Sequence, residues 1–293
     1  MLQRLLPKIS IHCWGGLGSQ LYSLSIMNTI KNKFKWRQVF LVSHENGVTH
    51  RTFELTDFLP LNSIKEILDF SPHVSNKKIT LIQITKSSVY LFISWIAQRF
   101  GFLARCNSGI EAQNLRPWIL QLRGHYSDLE ISDENLKYIV QIIWPDFSDK
   151  PNSFFKLTEQ VAIHYRLGDL MKLNSKQPIN ASRIQHGLDL MNSKTIIEQL
   201  HIFSDSIVIA QNTINSFGCE FKCIPQDLEI IPALFSLIGY KGFVATPSKI
   251  SEWVLIFRSY LKIDGLSFVP IEMYNHLVKV YPKIDADKNV FIY

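Results

Sequence analysis

Short apolar runs alternate with longer amphipathic stretches along the chain, and this change of period marks the predicted elements. Short apolar runs bounded by glycine or polar residues are typical of buried strands, and apolar positions three or four apart are typical of helices. The predicted strands are Ile9–His12, Val39–Val42, Val161–His164, His201–Phe203 and Phe243–Ala245, and the predicted helices are Leu21–Ile30, Ser182–Met191 and Ser248–Leu261. This order of elements predicts a protein of the α/β class.

A polar, proline-containing segment, Pro145–Ser153, interrupts the alternation near the middle of the chain. Segments of this composition commonly connect separate domains. The chain has 293 residues, and a single hydrophobic core stops growing at roughly 250–300 residues. We therefore predict two α/β domains, residues 1–150 and residues 151–293.

The composition is that of a folded protein with a mild preference for anions. Hydrophobic residues make up 46% and charged residues 19% of the chain, which excludes a disordered protein. The net charge of +6 suits an anionic partner. Because the chain contains no block of five or six like charges, we expect no nucleic-acid partner.

The cysteines are expected to be reduced thiols without a metal. They are few for the length of the chain: Cys13, Cys106, Cys219 and Cys223. Cys219 and Cys223 lack the nearby His or second Cys pair that a closed zinc site requires. The first residues contain no apolar leader core, so a cytoplasmic location is expected.

The stretch that is most similar to a lipid-facing segment is Ser88–Ala97. It is well short of the ~20 apolar residues that span a bilayer. Two interpretations remain open for it. It is either a buried core segment or an interfacial patch, in which Arg99 and Arg105 would lie beside anionic lipid.

The first segment with candidate chemistry is Trp14–Gln20, a glycine turn between a predicted strand and a predicted helix. Gly16 and Gly18 allow a ligand to approach the backbone, and the amides at the helix start favour a phosphate. The segment lacks the third glycine of a dinucleotide fingerprint and the Lys of a P-loop. A simple tight turn is the alternative.

The other three candidate segments place polar residues directly after predicted strands. Arg166 and Asp169 follow the first of these strands, and Ser204 and Asp205 follow the next. Ligands of open α/β sheets bind at the carboxyl ends of strands, where Arg166 offers a planar charged donor to phosphate. The alternative is a surface Arg166 paired with Asp169.

The last segment leads from the strand that ends at Ala245 into a predicted helix. Ser248 is a candidate helix cap, and Ser251 lies in the first turn. The hydroxyls and amides there form either a second anion site or a simple cap.

Taken in order, these four segments resemble motifs of the bacterial α-1,2-fucosyltransferases, glycosyltransferase family eleven, and more distantly of the α-1,6- and protein O-fucosyltransferases. The family's G-G-L-G-N-Q-L-F, H-x-R-R-G-D, F-S-D-D and N-S-T-F-S-W-W are matched by Gly15–Tyr22, His164–Asp169, Phe203–Ser206 and Pro247–Trp253. Weaker similarities are Arg51–Leu55 and Leu122–Tyr126. The resemblance extends over nearly the whole chain.

The resemblance implies a GT-B architecture, in which two Rossmann-like domains face each other across a cleft. Residues 151–293 would bind a GDP-linked 6-deoxyhexose, usually GDP-L-fucose, and residues 1–150 would lie mainly on the acceptor side. The reaction would invert the anomeric carbon without a metal. The acceptor would be a galactose-type hydroxyl of an O-antigen or capsule oligosaccharide, carried on lipid at the cytoplasmic face of the inner membrane, which the protein would contact peripherally.

The resemblance also implies roles for individual residues. Arg166 would stabilise the departing phosphate, and Asp169 is the candidate general base. The donor-binding candidates are Gly16, Gly18, Ser19, Gln20, His164, Ser204, Asp205, Ser248 and Ser251. His125 and Tyr126 are candidates on the acceptor side.

The sequence departs from the family motifs at four positions, each of which alters a polar contact near the expected donor. Ser19 replaces Asn, Leu167 replaces the second Arg, Ser206 replaces the second Asp, and Glu252 replaces a Trp. One alternative is therefore a transferase for GDP-colitose, a sugar that lacks one hydroxyl of fucose. A further alternative is a relative that binds GDP or a glycan without catalysis.

Overall fold

The structure, a computed structural model, describes residues 8–45, 53–59, 64–68, 81–106, 114–148, 157–167, 179–218 and 221–293. The sequence predictions on Arg51, Thr52, Asp169, Cys219 and the second half of the proposed linker lie outside the described residues. The chain divides into two compact units, Met1–Ser148 and Asp149–Tyr293.

The first unit is built on a five-stranded parallel sheet with the strand order β3-β2-β1-β5-β4. Its strands are β1 (Ile9–Cys13), β2 (Val39–Glu45), β3 (Ile64–Leu68), β4 (Leu103–Arg105) and β5 (Gln121–Arg123). Its helices are α1 (Leu17–Lys33), α2 (Leu81–Arg99) and α3 (Asp133–Ile143). Every residue of β1 is buried, as expected for a central parallel strand covered on both faces.

The second unit is built on a six-stranded parallel sheet with the strand order β11-β10-β9-β6-β7-β8. Its strands are β6 (Thr158–His164), β7 (Gln199–Phe203), β8 (Lys222–Gln226), β9 (Tyr240–Ala245), β10 (Leu266–Val269) and β11 (Val290–Ile292). Its helices are α4 (Ala181–Lys194), α5 (Ile207–Asn215), α6 (Ile230–Ile238), α7 (Lys249–Tyr260) and α8 (Ile271–Val280).

The predicted α/β class is confirmed, since both units alternate strands with helices. Each of the five predicted strands lies within or overlaps an observed strand. The predicted helix at Ser182–Met191 lies inside α4, and the one at Ser248–Leu261 corresponds to α7. The first half of the proposed linker is a 3-10 turn, Pro145–Ser148, that follows α3.

The interpretation of Ser88–Ala97 as a buried core segment is wrong. These residues belong to α2, where Ser87, Ser94 and Ala97 are buried. By contrast, Phe92 and Trp95 are 60% and 63% exposed. Among the described residues, no helix is long and apolar enough to cross a membrane.

A buried arginine joins three segments at the amino ends of β9 and β10. Arg258 of α7 is 2% exposed, and its guanidinium donates to the carbonyls of Ile238, Tyr240 and Leu266 and to the hydroxyl of Ser267. A Cβ on Gly265 would lie 2.5 Å from Arg258 Nη2, so this position has no room for a side chain. Burial lowers the pKa of Arg258 to about 10, which leaves it charged at neutral pH.

We expect Arg258→Met to lower the free energy of unfolding by about 3 kcal/mol or more, because it leaves several buried carbonyls without a donor. Arg183→Met is the matched control, since Arg183 makes an exposed pair with Glu272 that is worth about 0–1 kcal/mol. Urea denaturation followed by circular dichroism measures both variants. Equal losses in the two variants would contradict the structural role of Arg258.

Candidate functional site

Three parallel strands of the second sheet end in register, and the candidate residues follow them. His164 at the end of β6 pairs with Phe203 of β7 on one side and with Ala245 of β9 on the other. The residues that come next, which include Arg166, Asp205 and Thr246, therefore meet at the carboxyl edge of the sheet. This is the edge at which open α/β sheets bind ligands.

Arg166 is held at this edge by contacts from both neighbouring strands. Its backbone amide donates to Thr246 Oγ1 at 3.2 Å, and the same hydroxyl donates to the carbonyl of His164 at 2.6 Å. Its side-chain Nε lies 3.6 Å from Asp205 Oδ2. The side chain of Arg166 remains 20% exposed, so its guanidinium is anchored and still reachable from solvent.

Asp205 and Ser204 organise the turns around Arg166. Asp205 Oδ1 accepts a hydrogen bond of 3.0 Å from the amide of Leu167, while its other oxygen faces Arg166. Ser204 Oγ accepts from the amide of Ser206 at the start of α5. The carboxylate that the structure shows beside Arg166 is thus that of Asp205. The pair of Arg166 with Asp169, which the sequence analysis gave as an alternative, involves a residue outside the described ranges.

His164 forms a buried hydrogen-bonded group with two serines at the start of α7. Its Nδ1 lies 2.8 Å from Ser251 Oγ and 3.1 Å from Ser248 Oγ. Ser248 is the N-cap of α7, and its hydroxyl accepts from the Ser251 amide at 3.0 Å. The predicted cap is therefore confirmed. Ser251 is fully buried, and its hydroxyl faces His164.

The environment of His164 keeps its imidazole neutral. Burial is the main cause of a lowered pKa, and the positive charge of Arg166 lowers the pKa further, while the negative charge of Asp205 raises it. Together they lower the pKa of His164 to about 4. At neutral pH, His164 therefore fixes the two serines without adding charge next to Arg166. We name the set Arg166, Asp205, Thr246, His164, Ser248 and Ser251 the Arg166 cluster.

In the first unit, the glycine segment forms a tight turn into α1. Gly15 has a φ of +85°, a conformation that favours glycine. Gly16 is the N-cap, and its carbonyl accepts from the amides of Ser19 and Gln20. The buried Gln20 side chain donates to the Gly15 carbonyl and accepts from the Glu54 amide. Gly18 is a buried residue of α1.

The turn interpretation is confirmed, and the phosphate interpretation of the same segment stays a prediction. The side chain of Gln20 ties the turn to the segment at Glu54. The amides of Ser19 and Gln20 already have an acceptor in Gly16.

A cluster that the sequence analysis missed lies at the carboxyl ends of β1 and β2. His12 Nδ1 is 2.7 Å from His44 Nε2, and His12 Nε2 is 3.0 Å from the hydroxyl of Tyr90. The ring of Trp14 stacks on His44 with a centroid distance of 4.4 Å. Burial, aided by the charges of His44 and Arg123, lowers the pKa of His12 to about 2.

The sequence signal that could have revealed this cluster is His12, a histidine at the end of a predicted strand and shortly before Trp14 and the glycine turn. Its partners come from distant parts of the sequence. Tyr90 lies 78 residues away on α2 and reaches His12 by packing against β1 and β2.

The two residues that the sequence placed on the acceptor side differ in exposure. His125 is exposed. Tyr126 is buried, and its hydroxyl donates to the carbonyl of Leu122 at 2.9 Å. Burial holds the pKa of Tyr126 well above its usual value. The Tyr126 hydroxyl is therefore engaged with the protein backbone.

No group of three or more His, Cys, Asp or Glu side chains that could hold a metal occurs within the described ranges. The sequence contains one Asp-x-Asp pair, Asp285 and Asp287. It lies between α8 and β11, where Asp285 accepts from the Tyr274 hydroxyl and Asp287 from the Asn289 amide. This connection enters β11, so it lies at the amino edge, away from the Arg166 cluster.

No protein-family model matches the chain, and no curated protein matches it. Similar solved structures include the Escherichia coli heptosyltransferase WaaC with ADP, at 9% identity over 97% of this chain and 92% of that one, with a TM-score of 0.43. E. coli ADP-heptose LPS heptosyltransferase II is 12% identical over 98% of this chain and 90% of that one, with a TM-score of 0.45. POFUT1 in complex with GDP is 12% identical over 89% of this chain and 98% of that one, with a TM-score of 0.41. At these TM-scores, the similarities do not assign a function.

The buried neutral His164 predicts a loss of stability in mild acid. The unfolded chain binds a proton at this residue with a pKa near 6.5, whereas the folded chain does so only near 4. Folding is therefore progressively opposed as the pH falls from about 6.5 to 4, by up to about 3 kcal/mol. We expect His164→Asn to remove this part of the pH dependence.

Urea unfolding of the wild type and of His164→Asn at several pH values between 7 and 4 checks this expectation. His12 of the first unit is present in both proteins, so its own pH effect cancels in the difference. If the two proteins lose stability in parallel over this range, the buried neutral state of His164 is contradicted.

Proposed function

We propose that the protein is a metal-independent, inverting glycosyltransferase that moves L-fucose from GDP-L-fucose to a galactose-type hydroxyl of a surface-polysaccharide acceptor through an α-1,2 linkage. The observation that carries the proposal is the Arg166 cluster at the carboxyl edge of the second sheet. Its similarity in residue order to the α-1,2-fucosyltransferase motifs supports the choice of reaction and donor.

The chemistry of the departing group explains why an anchored arginine suits this reaction. Cleavage of the bond between sugar and diphosphate builds negative charge on the β-phosphate. A planar guanidinium donates two hydrogen bonds to such an oxyanion and keeps its charge at all physiological pH values. Asp205 and Thr246 fix Arg166 before the substrate arrives, so little reorganisation is needed during the reaction.

The start of α7 supports a second contact with the diphosphate. Amides in the first turn of a helix point along its axis and favour an anion. Ser248 and the neutral His164 hold this helix end beside Arg166. In this proposal, Ser251 acts as a positioning residue for His164, because its hydroxyl is buried against the ring.

The attacking hydroxyl needs a proton acceptor, and Asp169 remains our proposal for that role. Asp205 is less suited to it, because both of its oxygens are engaged, one by the Leu167 amide and one by Arg166. His164 is also less suited, because its Nδ1 faces two serine hydroxyls and its pKa is about 4.

Two of the departures from the family motifs make contacts within the second unit. Leu167, at the position of the second Arg, is 3% exposed and packs in the core of the second unit. Glu252, which replaces a Trp of the family motif, has its Oε1 3.4 Å from His276 Nδ1. The departures from the family motifs leave GDP-colitose as the alternative donor, since that sugar offers one hydroxyl fewer and needs one polar partner fewer.

A donor screen tests the proposal. The purified chain is incubated with GDP-L-fucose or GDP-colitose and a β-galactoside acceptor in excess EDTA, and GDP release is measured. We expect acceptor-dependent release with GDP-L-fucose. Release with GDP-colitose alone would move the proposal to that donor. Release only after Mg²⁺ or Mn²⁺ is added, or GDP binding without release, would overturn it.

Arg166→Ala is expected to lower the turnover number by about a hundredfold or more, which is the usual loss when one donor to a developing oxyanion is removed. The exposed Arg183→Ala is the matched control in the same unit and should retain full turnover. Steady-state GDP release measures both variants, and circular dichroism confirms their folding. Turnover of Arg166→Ala within a few-fold of the wild type would contradict the assignment.

A further inference from the structure

Helix α2 presents its small and polar residues to the protein and its large apolar residues to solvent. The inward positions are Ser87, Tyr90, Ser94 and Ala97, whose spacing of three or four residues defines one face of a helix. The Tyr90 hydroxyl contacts Ser10 and His12, which fixes this face against the sheet. A surface helix of a globular protein normally has the opposite arrangement.

The outward face of α2 carries large apolar side chains. Its large side chains are between 48% and 79% exposed, namely Leu81, Ile82, Val89, Phe92, Ile93 and Trp95. Phe92 and Trp95 stack on each other with a centroid distance of 6.1 Å. Removal of such side chains from water is favourable. An apolar surface of this extent on one helix is typical of a binding face.

The charge of the surrounding sequence identifies the kind of partner. Between Phe70 and Ile110 the chain has five Lys or Arg residues and no Asp or Glu, which gives +5 against +6 for the whole chain. Lys86, Arg99 and Arg105, which lie in the described part, are all exposed. An apolar face combined with basic residues fits the surface of a lipid bilayer, whose interior is apolar and whose headgroups are anionic.

Exposed aromatic residues also lie at the amino edge of the first sheet, where α2 ends. Trp36, Phe100 and Trp118 lie in the connections that enter β2, β4 and β5, and they are 43%, 69% and 52% exposed. Arg116 lies over the ring of Trp118 at 5.4 Å. Tryptophans beside basic residues are typical of the boundary between water and lipid.

We propose that the outer face of α2 binds the surface of an anionic lipid bilayer. The helix would lie parallel to the membrane, with its apolar side chains in the boundary region and Lys86 and Arg99 near the headgroups. This proposal does not depend on the proposed reaction.

A second copy of the chain is the competing partner for the same face. Two copies in contact through α2 would bring the +5 segments together, and like charges repel. Anionic lipid instead attracts each basic residue near its surface. The charge distribution therefore favours the bilayer.

Vesicle sedimentation with the full chain tests the proposal. The vesicles are phosphatidylcholine alone or phosphatidylcholine with about a quarter of phosphatidylglycerol. The variant is Phe92→Ser/Trp95→Ser, and the control is Val208→Ser/Ile209→Ser, which alters two exposed apolar residues of α5 in the second unit. We expect the wild type and the control to bind the anionic vesicles, and the α2 variant to bind at least about tenfold more weakly.

A charge variant separates the two contributions. Lys86→Gln/Arg99→Gln should weaken binding about fivefold for each charge removed, and salt at about 0.5 M should weaken the wild type in the same direction. Circular dichroism and urea denaturation show whether the variants fold. A lower unfolding midpoint for the α2 variant than for the control would overturn the proposal, because residues free of packing contribute little to stability.

Two further results would also overturn it. One is equal vesicle binding by the α2 variant and the wild type. The other is a concentration-dependent dimer in size measurements that the α2 substitutions abolish, without binding to either vesicle. Because sedimentation requires neither donor nor acceptor, a negative donor screen leaves this result intact, and the reverse is also true.

Discussion

Parallel pairing in register is the constraint from which the Arg166 cluster follows. Because β6, β7 and β9 end level with one another, the polar residues that come after them meet at one edge. The polar groups there find partners in the segments after the neighbouring strands or at the start of α7. The Thr246 hydroxyl donates to the carbonyl of His164 and accepts from the amide of Arg166. The Asp205 carboxylate accepts from the amide of Leu167. A one-residue shift of register would separate these partners and turn each side chain to the opposite face.

The same parallel architecture separates two kinds of surface in the first unit. The carboxyl edge of its sheet carries a compact polar and aromatic group around His12 and His44, stacked against Trp14. The amino edge carries exposed aromatic and basic side chains, and α2 lies against the sheet with its large apolar side chains facing solvent. The polar group at the carboxyl edge and the apolar outer face of α2 are therefore two different surfaces of this unit.

Much of the fold could be predicted from periodicity, but the short and polar elements could not. Strands such as β4 and β5 have three residues each, which is too few for a pattern of period two to be recognised. The error at Ser88–Ala97 has a different cause. An apolar run usually predicts burial, yet α2 packs on the sheet through Ser87, Ser94 and Ala97 instead. Local hydrophobicity does not reveal which face of a helix meets the core.

The sequence by itself determined the alternation of strands and helices, the polar residues that follow each strand, and the capping of α7 by Ser248. These depend on neighbours within a few residues, so they can be read locally. Only the tertiary structure decided that Arg166 pairs with Asp205, that His164 is buried between two serines, and that Tyr90 reaches His12. These contacts join residues 39, 87 and 78 positions apart. Their partners depend on the strand order of each sheet, which no local pattern specifies.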